Sequence, residues 1–353
     1  YLGLKCLEVD EADTGDIVAI TGIGDVIVGD TIASRESPEV LPRIEIGEPT
    51  VEMTFRINTS PFAGREGRFV TTRQLRERLY RELGTNLSLR VQDACTSDSF
   101  LVKGRGELHL AILIETMRRE GYEFEVSKPE AITKLVNGQL MEPMEAMTID
   151  TKEKYVGVLT EMLSKRQAQM TNMCHDDSGN VRLEFRIPTA GIIGFRSGFL
   201  TATRGDGIMN TVFIGYEPWH GAIASNRSGA LVATEEGIAV TYGINNAQGR
   251  GFTFIDPGTL VYRGMIIGLN SRPKDIAINV CKEKKKTNVR SSTADIAIKL
   301  VPPVKMSLEQ AIDFINGDEL VEVTPKNIRM RKKPLSRAQQ SRSNLAVPKT
   351  ATV

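Results

Sequence analysis

Hydrophobic residues recur with two alternating periods over the first two-thirds of the chain. Leucine occupies every fourth position between residues 75 and 83, which predicts an amphipathic helix that ends at Gly84. Apolar and polar residues then alternate over 87–91, which predicts a strand. A second helical run over 108–117 is followed by a predicted strand at 122–126.

The same order of elements occurs twice. The motif EPxxxMTF, which begins at Glu48, returns as EPxxxMTI at Glu142, 94 residues later. Behind the second copy the pattern predicts a strand at 146–151, a helix over 158–163, a strand at 181–187, a helix at about 191–203 and a strand at 210–216. Two consecutive β-α-β-β-α-β units of about 90 residues are typical of ferredoxin-like domains.

The flanking segments show other patterns. Residues 1–47 are predicted to form short strands, one of them at 15–20, separated by Gly-Asp turns. The segment 221–305 is rich in Gly, Val, Ile and Thr and is predicted to be mainly β. Ser307 is placed to cap a helix that extends to 315, and strands are predicted at 320–323 and 328–330. From Pro334 onward no apolar period remains, so disorder is expected there.

Composition excludes several classes of protein. The 353 residues are 41% hydrophobic, and no apolar run reaches the ~18 residues that a membrane helix needs. The four cysteines are isolated, which argues against a zinc ribbon or a disulfide framework and favours buried thiols in a reducing cytoplasm. Cys174-His175-Asp176-Asp177 reads as a polar turn, and no catalytic signature is present. The chain opens at Tyr1, so we expect a piece of a longer protein.

Near-neutral net charge conceals an asymmetry along the chain. Residues 1–135 hold 17 Lys and Arg against 23 Asp and Glu, and residues 136–220 hold 8 against 10. Residues 221–353 hold 20 against 11. A basic C-terminal third favours a polyanionic partner such as nucleic acid, although such segments also serve solubility alone.

Several motifs resemble those of elongation factor G-type translational GTPases. VKGRGELHL from Val102, with RREG at 118–121, resembles their third domain, and GDIVAI from Gly15 resembles the end of their second, β-barrel domain. IPxxxIxGFRS from Ile187 resembles their fifth domain, and a counterpart of the fourth is missing. This order, followed by ELVEVTP at Glu319, is similar to the BipA/TypA family of ribosome-associated GTPases.

The resemblance implies a multidomain α+β chain. Its parts would be the C-terminal part of a β-barrel domain (1–47), two ferredoxin-like domains (48–135 and 136–220), a β-rich C-terminal domain of the family (221–333) and a basic tail (334–353). The phosphate-binding loop, the Asn-Lys-x-Asp motif and the Asp-x-x-Gly switch of a GTPase are missing from this sequence. We therefore expect no enzyme activity, cofactor or metal in this chain, with GTP and magnesium bound by a GTPase domain elsewhere in the parent protein.

The implied partners are the ribosome, through its RNA and A-site tRNA, and the GTPase domain in cis. The chain would be cytoplasmic, with neither a membrane nor a small-molecule substrate as a partner. An elongation factor 4 (LepA)-type factor and a GTPase-independent RNA-binding module remain alternatives. An acylphosphatase-type enzyme would need an Arg in a phosphate-cradling loop, which neither repeat shows.

Basic residues are the candidates for RNA contact. One stretch carries five cations with only Glu283 opposing them, and the alternative is an exposed hairpin kept soluble by its charge. Its members are Lys282, Lys284, Lys285, Lys286 and Arg290.

The other candidates lie in the second repeat and after Glu322. Lys165 and Arg166 end a helix, where they would also complement its dipole. Arg196 and Arg204 suit phosphate, with pairing to Asp206 or Glu217 as the alternative. After Glu322 no acidic residue follows, and a basic arm is predicted to contact RNA through Arg329, Arg331, Lys332 and Lys333.

Overall fold

A computed structural model describes residues 8–13, 15–24, 26, 28–42, 47–94, 96–176, 179–223, 227–283 and 299–334. Within these ranges, none of the helices combines the length and apolar character that a bilayer span requires. The His, Cys, Asp and Glu residues of the same ranges form no group of three suited to a metal ion.

The first repeat contains the predicted order of elements. They are β1 (Val51–Ile57), α1 (Thr72–Glu82), β2 (Arg90–Asp93), β3 (Ser99–Gly104), α2 (Glu107–Arg119), β4 (Phe124–Val126) and a short β5 (Glu130–Ala131). The sheet runs β4-β1-β3-β2 with antiparallel neighbours. The first motif copy leads into strand β1, which lies between β4 and β3. Met53 and Phe55 of this strand are buried.

The second repeat has the equivalent arrangement of strands. Its sheet runs β10-β7-β9-β8, in which β10, β7, β9 and β8 take the places of β4, β1, β3 and β2. Its elements are β6 (Lys134–Val136), β7 (Gln139–Lys152), α3 (Val156–Ser164), β8 (Gln169–His175), β9 (Asn180–Pro188), α4 (Thr189–Ile192), α5 (Phe195–Ala202) and β10 (Gly207–Pro218). The single helix predicted at 191–203 is two helices, because Gly194 between them has a left-handed φ of 69°.

Among the described residues of the C-terminal segment, the elements are mainly strands, as predicted, and include two helices. Its elements are β11 (Ala230–Ala233), β12 (Gly237–Ile238), α6 (Thr241–Gln248), β13 (Gly251–Thr253), β14 (Leu260–Val261), β15 (Met265–Asn270), β16 (Ile276–Ile278), α7 (Leu308–Phe314), β17 (Glu319–Val323) and β18 (Ile328–Lys332). The pattern did not predict α6. This helix lies against the chain at Val280, where a Cβ on Gly243 would come within 2.2 Å of the Val280 carbonyl oxygen.

The first repeat and the C-terminal segment share one sheet. Strand β17 pairs antiparallel with β4, with Val321 opposite Val126 and Val323 opposite Phe124. The result is an eleven-stranded sheet ordered β16-β11-β15-β18-β17-β4-β1-β3-β2, with β13 on β15 and β5 on β1. Leu308 and Ile312 of α7 belong to the same hydrophobic core as Leu110 and Ile114 of α2. The second repeat has a separate sheet and a separate core.

Further local predictions are wrong. Residues 15–20 form no strand, and Ile17 is 89% exposed. A strand needs a hydrogen-bonded neighbouring strand, and none of the described strands pairs with this segment. Cys174 is an exposed thiol rather than a buried one, and Cys174 and His175 belong to strand β8 rather than to the predicted polar turn. Cys6, Cys95 and the tail at 335–353 lie outside the described residues, so the expectations for them stay predictions.

Candidate RNA-binding residues

The lysine-rich stretch lies partly outside the described residues. Lys282 is exposed, whereas Lys284, Lys285, Lys286 and Arg290 are not described. The described residues on either side of the stretch adjoin opposite ends of α6. The Val240 amide donates to the Val280 carbonyl at 2.9 Å, and the Val301 amide donates to Gln248 Oε1 at 3.0 Å. Val280 before the stretch and Val301 after it therefore both lie beside this helix.

Lys165 and Arg166 follow α3 directly but have different surroundings. Lys165 is exposed and pairs with Glu161, one turn earlier, at 2.7 Å. Arg166 turns inward, where its Nη1 donates to the carbonyls of Gly191 and Ile193, both at 2.8 Å. Burial lowers the pKa of this guanidinium. Arg166 thus closes the carbonyl end of α4, a structural role that argues against RNA contact.

Arg196 and Arg204 are exposed at the two ends of α5. The sequence suggested Asp206 or Glu217 as their internal partners. In the structure, Asp206 pairs with Lys152 at 2.7 Å, and Glu217 pairs with Arg186. Within the described part of the chain, neither arginine forms an ion pair. Both remain available to an external phosphate.

A cavity of about 250 Å³ lies where α2, α5 and α7 meet, and Arg196 lines it. Glu107 at the start of α2 accepts a 2.6 Å hydrogen bond from the Gly194 amide. Burial, together with the charge of Asp313, raises the pKa of Glu107 to about 7. Burial also raises the pKa of Asp313 to about 6, with Glu309 adding to the shift. This contact connects the two repeats at a position that is sensitive to protonation.

Three of the four basic residues that were predicted to contact RNA after Glu322 lie on β18 and form ion pairs with residues of neighbouring elements. They are Arg329, Arg331 and Lys332, and we call this cluster of ion pairs the seam. Arg329 pairs with Glu66 and, at 3.0 Å, with Glu322. Arg331 is 6% exposed and lies 3.3 Å from Glu125. A buried guanidinium that faces a buried carboxylate has little capacity left for phosphate.

Lys332 is the third member of this seam. Its Nζ contacts Asp275 at 2.5 Å, Glu319 at 2.8 Å and Asp318 at 2.9 Å. Burial alone would lower the pKa of Lys332, but these carboxylates outweigh it, so the pKa is raised. Lys333, the next residue, is exposed and donates to the Gly317 carbonyl at 2.6 Å. Of the four, Lys333 alone keeps the exposure that RNA contact needs.

The sequence itself carries a signal for this seam. Acidic residues of β17 stand directly opposite basic residues of β18, with Glu322 facing Arg329 and Glu319 facing Lys332. Opposite charges at matched positions of two adjacent strands are typical of cross-strand pairs. If a turn is assigned to residues 324–327, the two flanking strands pair in the register that brings these charges opposite each other.

Two family models match the chain. The model described as "TypA/BipA C-terminal domain" matches residues 228–337. The model described as "Elongation factor G C-terminus" matches residues 139–227. The first covers the C-terminal segment and the second covers the second repeat.

Curated relatives are similar over nearly the whole chain. The "Large ribosomal subunit assembly factor BipA" of Synechocystis sp. is 52% identical over 332 residues, which cover 94% of this chain and 56% of the relative. The protein of the same name from Bacillus subtilis is 46% identical and covers 97% of this chain and 56% of the relative. The protein of the same name from Escherichia coli K12 is 46% identical, and the match covers 98% of this chain and 57% of the relative. The chain spans little more than half the length of these relatives.

Proposed function

Since this chain belongs to the TypA/BipA family, we propose that it is the ribosome-binding portion of a factor that acts in large-subunit assembly or in the control of translation. The observation that carries the proposal is the 46–52% identity to relatives named for large-subunit assembly. The match to the TypA/BipA C-terminal model favours this assignment over the elongation factor 4 type.

The proposal extends to the parent protein. We place GTP and magnesium in a GTPase domain outside this chain, so that hydrolysis belongs to the parent. Within this chain, residues 1–47 would complete a β-barrel domain. The two β-α-β-β-α-β units would correspond to ferredoxin-like domains of the elongation factor G type, an assignment supported by the equal strand order of their sheets.

Docking would use the exposed cations. The proposed contacts to ribosomal RNA near the A site, and to A-site tRNA, come from the lysine-rich stretch that begins at Lys282 and from four further residues. These are Lys165, Arg196, Arg204 and Lys333, all of which are exposed. Each phosphate contact releases counterions, so binding would weaken as salt rises. The factor would be cytoplasmic and ribosome-associated.

Co-sedimentation with 70S ribosomes and with isolated large subunits, across a salt series, tests this proposal. A variant with Lys282, Lys284, Lys285 and Lys286 changed to Ala should bind more weakly. The plot of log K against log salt should also have a shallower slope, because fewer counterions are released.

The matched control removes four exposed cations from other surfaces: Arg35, Arg81, Arg105 and Lys326, each changed to Ala. We expect this control to bind nearly as the parent chain does. Equal losses in the two variants would mean that overall charge, and not the lysine-rich stretch, drives binding. Absence of binding at low salt would contradict the proposal that this portion docks by itself.

A further inference from the structure

An open groove runs along helix α2, beside α5 and α7. One part of it is the cavity of about 250 Å³ that residues of all three helices line. A second hollow, of about 500 Å³, lies between α2 and α7. The two adjoin, because Ala111, Ser307 and Glu309 line both of them. We call the two hollows together the three-helix groove.

The three-helix groove exposes apolar side chains to solvent. Leu108 and Ile112 lie one turn apart on α2, and Ile112 is 58% exposed. Side chains four positions apart share one face of a helix, so these two form an apolar stripe. Leu200 of α5 is also exposed on the wall of the cavity. A segment that covered these side chains would be stabilised by the apolar area removed from water.

Acidic side chains border the apolar stripe. Glu107, Glu309 and Asp313 line the cavity, and Arg196 is the one cation among the residues that line it. Glu107 accepts the hydrogen bond from the Gly194 amide. In the part of the chain that the structure describes, the carboxylates of Glu309 and Asp313 form no ion pair and accept no hydrogen bond. This surplus of negative charge favours a cationic occupant and disfavours nucleic acid.

The chain itself contains a segment of complementary character. Residues 335–353 lie outside the described residues and include no Asp or Glu. Their cations are Arg337, Arg342 and Lys349, and Leu345 is among their aliphatic residues. Cations and aliphatic side chains in one segment match a groove of carboxylates and apolar walls.

The segment begins close to helix α7. The Lys333 amide donates to the Asp318 carbonyl at 2.9 Å, and Lys333 Nζ donates to the Gly317 carbonyl at 2.6 Å. Asp318 follows Asp313 of the cavity by five residues, which separates them by at most ~18 Å. The 19 residues of 335–353 can extend over roughly 60 Å, so the whole groove is within their reach. Such a short attachment also gives the segment a high effective concentration at the groove.

We propose that residues 335–353 dock in cis in the three-helix groove. Their arginines lie beside the carboxylates of Glu309 and Asp313, and their aliphatic side chains lie on the apolar stripe of α2. The docked arginines are not available to RNA, so the groove withholds part of the positive charge of the C-terminal third. The inference does not rest on the proposed function, since the groove and the segment belong to the same chain.

Photo-cross-linking within the 353-residue chain tests this docking. Leu345 is replaced by p-benzoylphenylalanine, and mass spectrometry maps the cross-links that form on irradiation. We expect them in peptides that contain α2, α5 or α7, whose residues line the groove. The yield should stay the same when the protein is diluted tenfold, because a contact in cis does not depend on concentration.

A double change in the groove alters its apolar and its acidic part together. Ile112→Asn with Glu309→Lys should lower the cross-link yield about fivefold, through loss of the apolar contact and reversal of the charge. Both side chains are exposed, so the fold should be retained, which circular dichroism checks. The matched control is Ile208→Asn with Glu39→Lys, at exposed positions on other elements, and it should leave the yield unchanged.

Charge reversal in the segment tests the ionic contact from the other side. Arg337→Glu with Arg342→Glu should lower the yield in the parent chain. Adding Glu309→Lys to this variant should restore part of the yield, because the facing charges are then opposite again. A further loss in the combined variant would show that Glu309 and the arginines do not meet.

Three results would overturn the inference. The first is a chain without internal cross-links, or with cross-links that avoid all three helices. The second is an equal yield in the parent chain and in the Ile112→Asn, Glu309→Lys variant. The third is cross-linking only between chains, with a yield that falls on dilution, which would assign the groove to the segment of a second copy.

Discussion

The guanidinium of Arg329 lies between the carboxylates of Glu66 and Glu322 and over the ring of Phe62. Glu322 is fully buried and also accepts hydrogen bonds from Asn58 and from the Tyr262 hydroxyl. A buried carboxylate that loses its cation keeps its desolvation cost without compensation. Removal of a single cation from the seam is therefore expected to have a large effect on the free energy of unfolding.

We predict that Arg329→Met lowers the free energy of unfolding by about 3 kcal/mol, because it leaves Glu322 buried without a cation. Urea denaturation followed by circular dichroism measures this. Arg204→Met, at an exposed position outside any described ion pair, should change stability by less than ~0.5 kcal/mol. A loss for Arg329→Met as small as that for Arg204→Met would contradict the role of the seam.

The raised pKa of Glu107 predicts that the stability of the folded chain depends on pH. Its pKa rises from an ordinary value of 4.5 to about 7 in the folded chain, mainly by burial. The folded state therefore binds a proton more tightly than the unfolded state, and stability falls as pH rises from 4.5 to 7.

Glu107→Gln should remove part of that fall, on the order of 2 kcal/mol, because Gln stays neutral and can still accept from the Gly194 amide. Chemical denaturation at pH 5, 6, 7 and 8 gives the profile. Glu39→Gln, at an exposed position, is the control and should keep the parent profile. A profile for Glu107→Gln identical to that of the parent would show that Glu107 is ionised at little cost.

At the scale of elements, helix α7 illustrates how a local cap and a distant core act together. The Ser307 hydroxyl accepts from the Gln310 amide at 3.3 Å, and Gln310 Oε1 accepts from the Ser307 amide at 3.0 Å. This capping box satisfies two amides that the helix would otherwise leave unpaired. The apolar face of the helix then packs into the core shared with α2.

Ser307→Ala should lower stability by about 1 kcal/mol, through loss of the cap. Thermal unfolding, followed by circular dichroism, would show this as a Tm lower by a few degrees. Ser271→Ala, at an exposed bend where only the backbone amide is engaged, should leave Tm unchanged. If the two variants had equal Tm values, the capping box would not contribute.

At the scale of the whole molecule, the pairing of β17 with β4 makes the first repeat and the C-terminal segment one structural unit. Most of their strands form one sheet, and helices α1, α2 and α7 share one core, while α6 belongs to a further core of the C-terminal segment. The second repeat has its own sheet and core. Cooperative unfolding usually follows such shared cores, so two units are expected.

Phe124→Ala on β4 should therefore destabilise the C-terminal segment as well, because Phe124 is fully buried where the two parts join. The expected cost is ~3–5 kcal/mol. Hydrogen exchange with mass spectrometry should show faster exchange in peptides covering 265–270 and 319–332. Phe185→Ala, buried in the separate core of the second repeat, should accelerate exchange there and leave those peptides unchanged. Protection at 319–332 that survives Phe124→Ala would contradict the shared unit.

The order of elements in both repeats was accessible from the sequence. Helix and strand are selected by residues two to four positions apart, so the leucines at 75–83 and the alternation at 181–187 were sufficient. The cap at Ser307 was accessible for the same reason. Helix α6 was not, because its close approach at Gly243 depends on Val280, which is distant in sequence.

The sequence by itself thus determined the repeated order of elements, the basic character of the C-terminal third and the set of cations that are candidates for RNA contact. Only the tertiary structure decided which cations are used internally. Arg329 meets Glu66 from 263 positions away, and Arg331 on β18 meets Glu125 on β4 although β17 lies between those two strands. Ion pairing and burial depend on which strands become neighbours, and that is determined by packing between distant segments rather than by local periodicity.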